Sequence, residues 1–453
     1  MSRKKHLLLL NPWIYDFTAF DFWLRPLGLL YLAAILREHT RFEIDYLDCL
    51  DCSQLEAGYK FKRMKKADGR GSYYKEQVPK PEILRQVPRR YSRYGLPISQ
   101  VKTALDLLPP PEAVLITCTM TYWYPGVQTA VELIRKEFGQ VPIILGGIYA
   151  SLCREHALGQ SGANVVVSGP GENQILKVLE EVCGQGHLKS DSNSVYFSSF
   201  DSLPVPAYDL CHDASVISLM TSRGCPLKCT YCASQLLNPG FEQRSPHKIV
   251  SEIIHFSRNL STKQIAFYDD ALLINKQHHL EKILESLITN SLNLGFHTPN
   301  GLHTKELDLK LARLMREVGF SSIFLSLESS DPDLLRKTGQ KVSPSDLEKA
   351  LFCLEEAGYD RSEISVYLLL GHPFQTKNQV LESLRFVKRL GAKARLAYYS
   401  PVPGTEDWKH LVNSGRLSPD SDPLLHNKLI FPYFWSQIGP EDLEEIKRQA
   451  RSC

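Results

Sequence analysis

Thr221-Ser222-Arg223-Gly224-Cys225-Pro226-Leu227-Lys228-Cys229-Thr230-Tyr231-Cys232 sets three cysteines in one short loop. An iron–sulfur cube is held by cysteine thiolates and normally takes four. A tight triplet without a nearby fourth therefore leaves one iron open to another ligand. Zinc is the rival reading, but zinc loops supply paired Cys-x-x-Cys or Cys/His groups that complete four ligands, and no second pair lies close by. The flanks fix where the loop sits. Val216-Ile217-Ser218-Leu219-Met220 is a short apolar run that reads as a buried strand. Ser245-Pro246 then opens a helix with Ile249, Ile253, Phe256 and Leu260 on one face. Strand, thiolate loop and helix place the triplet at the carboxyl end of a parallel strand, where α/β folds hold their ligands.

Outward from the loop, the pattern repeats. Strands are predicted at Ile265 to Tyr268, Phe296 to Thr298, Ser322 to Leu327, Ile364 to Leu370 and Ala394 to Tyr399. Between them, Leu307, Leu311, Leu314 and Val318, and then Leu347, Leu351 and Leu354, recur at helical spacing. Gly319, Gly358 and Gly391 follow as left-handed caps. With the strand before the cysteines this makes six βα units, which the right-handed crossover rule closes toward a partial barrel. Polar residues stand at successive strand ends: Asp269 and Asp270, Asn300, Ser326 and Glu328, Gly371 and His372, and Tyr398 to Ser400.

The segment resembles the radical S-adenosylmethionine (radical SAM) superfamily, whose signature is Cys-x-x-x-Cys-x-aromatic-Cys, here with Tyr231 as the aromatic. The resemblance implies a 4Fe-4S cluster on Cys225, Cys229 and Cys232, with SAM chelated to the fourth iron. It also implies reductive cleavage of the sulfonium to a 5′-deoxyadenosyl radical, with the electron coming from a donor such as flavodoxin or ferredoxin. The strand ends match the cobalamin-associated class: an Asp-Asp pair, Asn300-Gly301, Ser326-Leu327-Glu328-Ser329 and Gly371-His372-Pro373. Tyr231, Asp270, Asn300, Ser326 and Glu328 are by that resemblance the SAM contacts, with Asp269 the structural member of its pair. The chain departs from the class where Gly-x-Pro-Gly-Glu-Thr is usual and Gly371-His372-Pro373-Phe374-Gln375-Thr376 stands instead.

The amino-terminal half also alternates strand and helix. Strands fit His6 to Leu10, Phe42 to Leu47, Ala113 to Thr117, Pro142 to Leu145 and Asn164 to Val167, which predicts a doubly wound parallel sheet. The layout resembles the Rossmann-like, cobalamin-binding domain fused ahead of radical SAM barrels. That implies cobalamin contacts from Pro26, Leu27, Gly28, Thr119, Gly146, Gly147, Ser168, Gly169, Gly171 and Glu172. The loop after the first strand lacks the Asp-x-His-x-x-Gly that carries a cobalt-ligating histidine. His156, in Arg154-Glu155-His156, reads as an ordinary helix residue. Tyr122-Trp123-Tyr124 reads as packing either on a corrin face or on the barrel.

The expected order is therefore a cobalamin-binding-like α/β domain over 1–190, a linker over 191–212, a partial (β/α)6 barrel over 213–405 and a short helical extension over 406–453. Glu441 to Arg451 is predicted as the terminal helix, and Pro432 to Trp435 as an aromatic cover for the barrel mouth. An insertion over about 51–99 mixes Lys60, Lys62, Arg63, Lys65, Lys66, Arg70, Lys75, Lys80, Arg85, Arg89, Arg90 and Arg93 with Tyr59, Tyr73, Tyr74, Tyr91 and Tyr94. Basic and aromatic mixtures can hold nucleic acid, but a lid over a cofactor's phosphate is the favoured reading.

At 453 residues the chain suits two domains, and its net charge of +3 names no partner. No apolar run is long enough to cross a bilayer, and Leu7 to Leu10 is too short for a secretory leader. Eleven cysteines without an export signal point to a reducing cytoplasm. The function expected is a cobalamin-dependent radical SAM enzyme that methylates an unactivated carbon of a small molecule or peptide. The alternatives are a cyclase or rearrangement enzyme, and a tRNA methylthiotransferase. The last needs a second cluster, for which Cys49, Cys52 and Cys118 lie near strand ends.

Overall fold

The computed structural model describes residues 4–56, 58, 59, 61, 64–189 and 195–451. The chain forms two compact units. Met1–Ala214 with Asp422–Leu425 makes the first, and Ser215–Ser421 with His426–Cys453 the second.

The first unit is built on a five-stranded parallel sheet. Its order is Glu43–Asp48, His6–Asn11, Ala113–Cys118, Ile143–Gly147 and Val165–Val166. Leu7, Leu8, Leu9 and Leu10 are all buried, as a central strand covered by helices on both faces requires. The helices Leu27–His39, Tyr124–Phe138 and Ile175–Cys183 supply that cover. Asn11 pairs with Asp48 in register and Cys118 with Gly147, so the strands deliver their last residues to a common carboxyl edge.

The insertion folds on its own terms. Ile14–Asp16, Ser92–Tyr94 and Lys75–Gln77 form a three-stranded antiparallel sheet. Tyr73, Tyr91 and Tyr94 are buried rather than displayed, and Tyr73 and Tyr94 cluster with Ile14 and Cys52. Several cations are neutralised locally: Arg93 pairs with Glu76, Arg70 with Asp68, and Lys65 lies 3.9 Å from Asp213. Aromatic rings that stack on bases must be exposed, so this packing removes the main support for a nucleic-acid surface. Lys60, Lys62 and Arg63 lie outside the described residues, as does Cys453.

The second unit carries the barrel strands as two parallel sheets. Phe320–Ser322, Gly295–His297, Gln264–Phe267 and Val216–Leu219 form one, and Phe324–Glu328, Ser365–Leu370 and Lys393–Tyr398 the other. The single strand expected over Ser322 to Leu327 is thus two. Its pairing with Gly295–His297 slips at Phe296/His297, and beyond Ile323 the chain pairs on its other side with Ser365–Leu370. Phe267, Phe296 and Phe320 stack across neighbouring strands at 5.8 and 5.5 Å between centroids, all buried.

Helices Leu309–Val318 and Pro344–Glu356 form where helical spacing is predicted, Leu307 lying just ahead of the first, and with Lys377–Arg389 they are followed by Gly319, Gly358 and Gly391, all at positive φ. Pro440–Arg451 is the terminal helix. Phe431 and Trp435 are buried, and the Phe431 ring occupies the space a side chain at Gly371 would need. The aromatic segment therefore packs on the end of the strand Ser365–Leu370.

Candidate metal centre

The loop that bears the cysteines is fastened at both ends. Ser222–Gly224 pairs antiparallel with Phe241–Gln243, and Gly224 sits at φ 80 with Gly240 O only 2.2 Å from where a Cβ would stand. Only glycine tolerates both the left-handed backbone and that approach. Gly224→Ala is expected to cost about 2 kcal/mol of stability and to lower iron uptake, read by denaturant unfolding and by iron per chain.

Behind the loop, Asp269 Oδ1 accepts from Thr221 N at 3.0 Å, Thr221 Oγ1 at 2.7 Å, Ser222 N at 2.5 Å and Ser222 Oγ at 2.6 Å. Burial pushes its carboxyl up to about 6 against those bonds. His279 Nε2 lies 3.0 Å from Thr221 Oγ1, and burial drives that imidazole down to about 4, so it is neutral. The guanidinium of Arg244 is fully buried against Glu252, while Arg244 N donates to Thr221 O at 2.9 Å.

Within the loop, Cys225 is buried, Cys229 half-buried and Cys232 at the surface. Backbone and side-chain donors address the sulfurs. Leu227 N–H reaches Cys225, the Tyr231 hydroxyl reaches Cys229, and Ser234 N–H lies 3.5 Å from Cys232 Sγ. Loss of solvation by the surrounding protein raises all three thiols, Cys232 to about 11, so a metal must displace their protons. Among the described residues no group of three His, Cys, Asp or Glu side chains is arranged to grip a single ion. Thiolates bound to separate irons of one cube stand farther apart than ligands sharing one ion.

The strand-end residues gather unevenly around it. Tyr231, Glu328, Cys229 and Cys232 share one electrostatic neighbourhood, and Asp270 acts on Cys225 and Cys232 while accepting from Ser234 Oγ at 2.5 Å. Asn300 is exposed, with Nδ2 donating to Tyr268 O at 2.9 Å at the end of the neighbouring strand Gln264–Phe267, and Ser326 is buried with its carbonyl capped by Thr304 Oγ1 at 2.5 Å. Glu328 stands at φ 69, an unusual conformation for a side-chain-bearing residue, and pairs with Lys341 at 2.7 Å. Lys341 went unnoticed in the sequence because nothing in its local pattern marks it.

The departure at Gly371 to Thr376 has a structural use. Gln375 accepts from Gly371 N at 3.0 Å and donates to Leu369 O at 2.7 Å, and Thr376 caps the helix Lys377–Arg389. His372 meets Asp407 at 2.6 Å, both buried, and Asp407 N donates to Thr230 O at 3.2 Å, tying the cysteine loop to this turn.

In the first unit, the carboxyl edge of the sheet holds open backbone and a polar cavity. A Cβ at Gly28, Gly146 or Gly169 meets nothing within 4 Å, whereas at Gly147 it meets Cys118 backbone at 2.6 Å. Pro26 and Leu27 are buried, Thr119 and Ser168 half-buried, Gly171 lies beside Leu32, and Glu172 is buried. The Ser168–Gln174 loop is pre-ordered by Ser168 Oγ to Ala150 O at 2.8 Å and by Gln174 Nε2 to Pro170 O at 2.7 Å.

Near the other side of this edge, Asn11, Tyr46 and Leu50 N converge on Asp48, which lines a cavity of about 30 Å³ with Asp21, Arg25 and Tyr73. Burial pushes the Asp48 carboxyl up to about 6. The folded state then holds this proton to higher pH than the unfolded chain does. Stability should fall by on the order of 2–3 kcal/mol as pH rises from about 4 to 6. Thermal unfolding of wild type and Asp48→Asn across that range checks this: the variant should lack that share of the slope.

Tyr122 and Tyr124 are buried within the first unit, and Trp123 Nε1 donates to Asp16. His156 bonds Tyr149 OH at 2.7 Å and packs edge-on to Tyr124 at 4.7 Å, so its ring is engaged. Cys49, Cys52 and Cys118 are buried too. Cys52 Sγ accepts from Tyr74 N, Cys118 donates to Met120 O, and burial pushes Cys118 up to about 12. In this structure they pack as buried side chains.

Residues 219–387 match the family model described as the Radical SAM superfamily. These residues form a radical SAM domain. The chain is similar to an uncharacterised methyltransferase of Pyrococcus horikoshii, at 23% identity over 331 residues, covering 68% of this chain and 71% of that one. It is also similar to the hopanoid C-3 methylase of Methylococcus capsulatus, at 21% identity with 71% and 67% covered. Among solved structures, the radical SAM methyltransferase TsrM of Kitasatospora setae, with cobalamin and a 4Fe-4S cluster bound, superposes with a TM-score of 0.64 at 15% identity, covering 94% of this chain and 85% of that chain. OxsB, a cobalamin-dependent radical SAM enzyme, superposes at 0.61 and 12% identity, covering 98% and 66%. The structural likeness establishes a two-part fold, an open α/β unit and a partial barrel. No helix among the described residues is long and apolar enough to cross a membrane.

Proposed function

We propose that this chain is a cobalamin-dependent radical SAM methyltransferase acting on an unactivated carbon of a small molecule. The observation that carries the reading is the cysteine triplet itself, three thiols with N–H and O–H donors aimed at them at the end of a barrel strand. When bound, a 4Fe-4S cluster and SAM would supply one-electron sulfonium chemistry, and cobalamin would supply methyl carriage. Cys225, Cys229 and Cys232 would hold the cluster, with Tyr231, Asp270, Asn300, Ser326 and Glu328 around SAM. Cobalamin would lie along the carboxyl edge of the first sheet, where Gly28, Gly146 and Gly169 leave room and Pro26, Leu27, Thr119, Gly147, Ser168, Gly171 and Glu172 surround it. Methylase and methyltransferase names among the relatives support methyl transfer, while two further relatives are named as magnesium-protoporphyrin IX monomethyl ester cyclases. We place the enzyme in the cytoplasm with a flavodoxin- or ferredoxin-type electron donor.

The chain's own contribution is confinement. Asp269 and the Arg244–Glu252 pair hold the loop still, and the aromatic segment around Phe431 walls the barrel end, which limits water near a reactive centre. The test is anaerobic reconstitution with iron, sulfide and hydroxocobalamin, followed by assay for 5′-deoxyadenosine and S-adenosylhomocysteine under reductant. About four irons per chain with SAM turnover and retained cobalamin is expected. Iron-loaded protein that neither binds cobalamin nor consumes SAM would overturn the reading.

A further inference from the structure

Lys341 is the feature of the site that the family signature does not account for. Its Nζ lies 2.7 Å from Glu328, with both side chains largely buried. The backbone beneath it is fixed. Gly339, at φ 101, packs so closely on the cysteine loop that a Cβ there would stand 2.7 Å from Lys228 O and 3.1 Å from Cys229 Cα. His303 Nε2 donates to Lys341 O at 2.9 Å, and Val342 is buried directly after. A long, flexible side chain is thereby delivered to one place.

Gly339, two residues before Lys341, packs on Lys228 and Cys229, which brings the Lys341–Glu328 pair to the cysteine loop. Burial works to lower the pKa of Lys341, but Glu328, Cys229 and Cys232 hold it above its ordinary value.

We propose that Lys341, held by Glu328 against the Cys225–Cys232 loop, sets the reduction potential of the cluster that loop carries. The inference rests on the cluster reading above. A one-electron reduction adds negative charge to a centre already bearing thiolates. A fixed cation beside the sulfurs favours the reduced form and makes the potential less negative. Lys341 is a positioning and charge-setting residue, not a ligand.

The experiment is an electron paramagnetic resonance-monitored titration with dithionite of reconstituted full-length protein, without SAM. Wild type is compared with Lys341→Met, which keeps the stem and loses the charge, and Lys341→Arg, which keeps the charge. The Met variant should shift to a more negative midpoint at unchanged iron content, while the Arg variant stays with wild type. If the Met variant fails to take up iron, Glu328→Gln is read instead. That substitution leaves the cation unopposed and should move the midpoint positive. A wild-type cluster whose midpoint moves in neither variant overturns this assignment alone. Absence of any four-iron spectrum from wild type overturns the cluster reading and the assignment with it.

Discussion

Replacing any one of Cys225, Cys229 or Cys232 with alanine should cut iron content to well under half and reduce SAM cleavage by ~10³-fold or more, measured on anaerobically reconstituted protein. The size of the effect follows from the count of ligands. With an open apex, the cluster depends on three thiolates, and losing one leaves it two protein attachments. The same substitution at Cys49, Cys52 or Cys118 should leave iron and turnover near wild type. Those sulfurs are buried, and Cys52 and Cys118 are committed to Tyr74 N and Met120 O. Loss of about half the iron in those variants would instead mean a second cluster in the first unit, and would return the methylthiotransferase alternative to contention.

Much of the scaffold was legible because its signals are local. Runs such as Leu7 to Leu10 and Val216 to Leu219 are buried strands because a continuous apolar run fits a parallel sheet covered on both faces. The glycine caps at 319, 358 and 391 were readable from periodicity ending in a residue free to take positive φ. The split at Ile323 was not readable, because it depends on which neighbour each half-strand finds. The tyrosines of the insertion misled for a related reason. Composition records that aromatics and cations alternate, but only the antiparallel sheet shows Tyr91 and Tyr94 turned inward and Arg93 answered by Glu76.

The metal centre divides in the same way. The three cysteines proposed as its ligands are adjacent in sequence and legible there. The groups that condition them come from afar: Lys341 follows the strand Phe324–Glu328 and the helix Pro332–Lys337, several βα units beyond the cysteines, and Asp407 reaches His372 across a strand and a helix. Charged residues such as these carry no periodic mark, so their roles appear only when the barrel brings strand ends together.

Asp269 makes the strongest case for a purely architectural acid in such a site. Asp269→Ala should lose about 3–5 kcal/mol of stability and most of the bound iron, measured by denaturant unfolding and iron assay. Four donors from Thr221 and Ser222 meet one carboxylate oxygen, and Asp269 is only 3% exposed, so no water replaces it readily. Those donors belong to the residues just before Gly224 and Cys225, so the effect must reach the ligands. Asp269→Asn separates anchoring from chemistry, because its amide oxygen can still accept while the charge is gone. An anchoring role predicts a loss of about 1–2 kcal/mol with iron and turnover falling together. Full iron with abolished turnover in the Asn variant would show that Asp269, not only Asp270, serves the reaction.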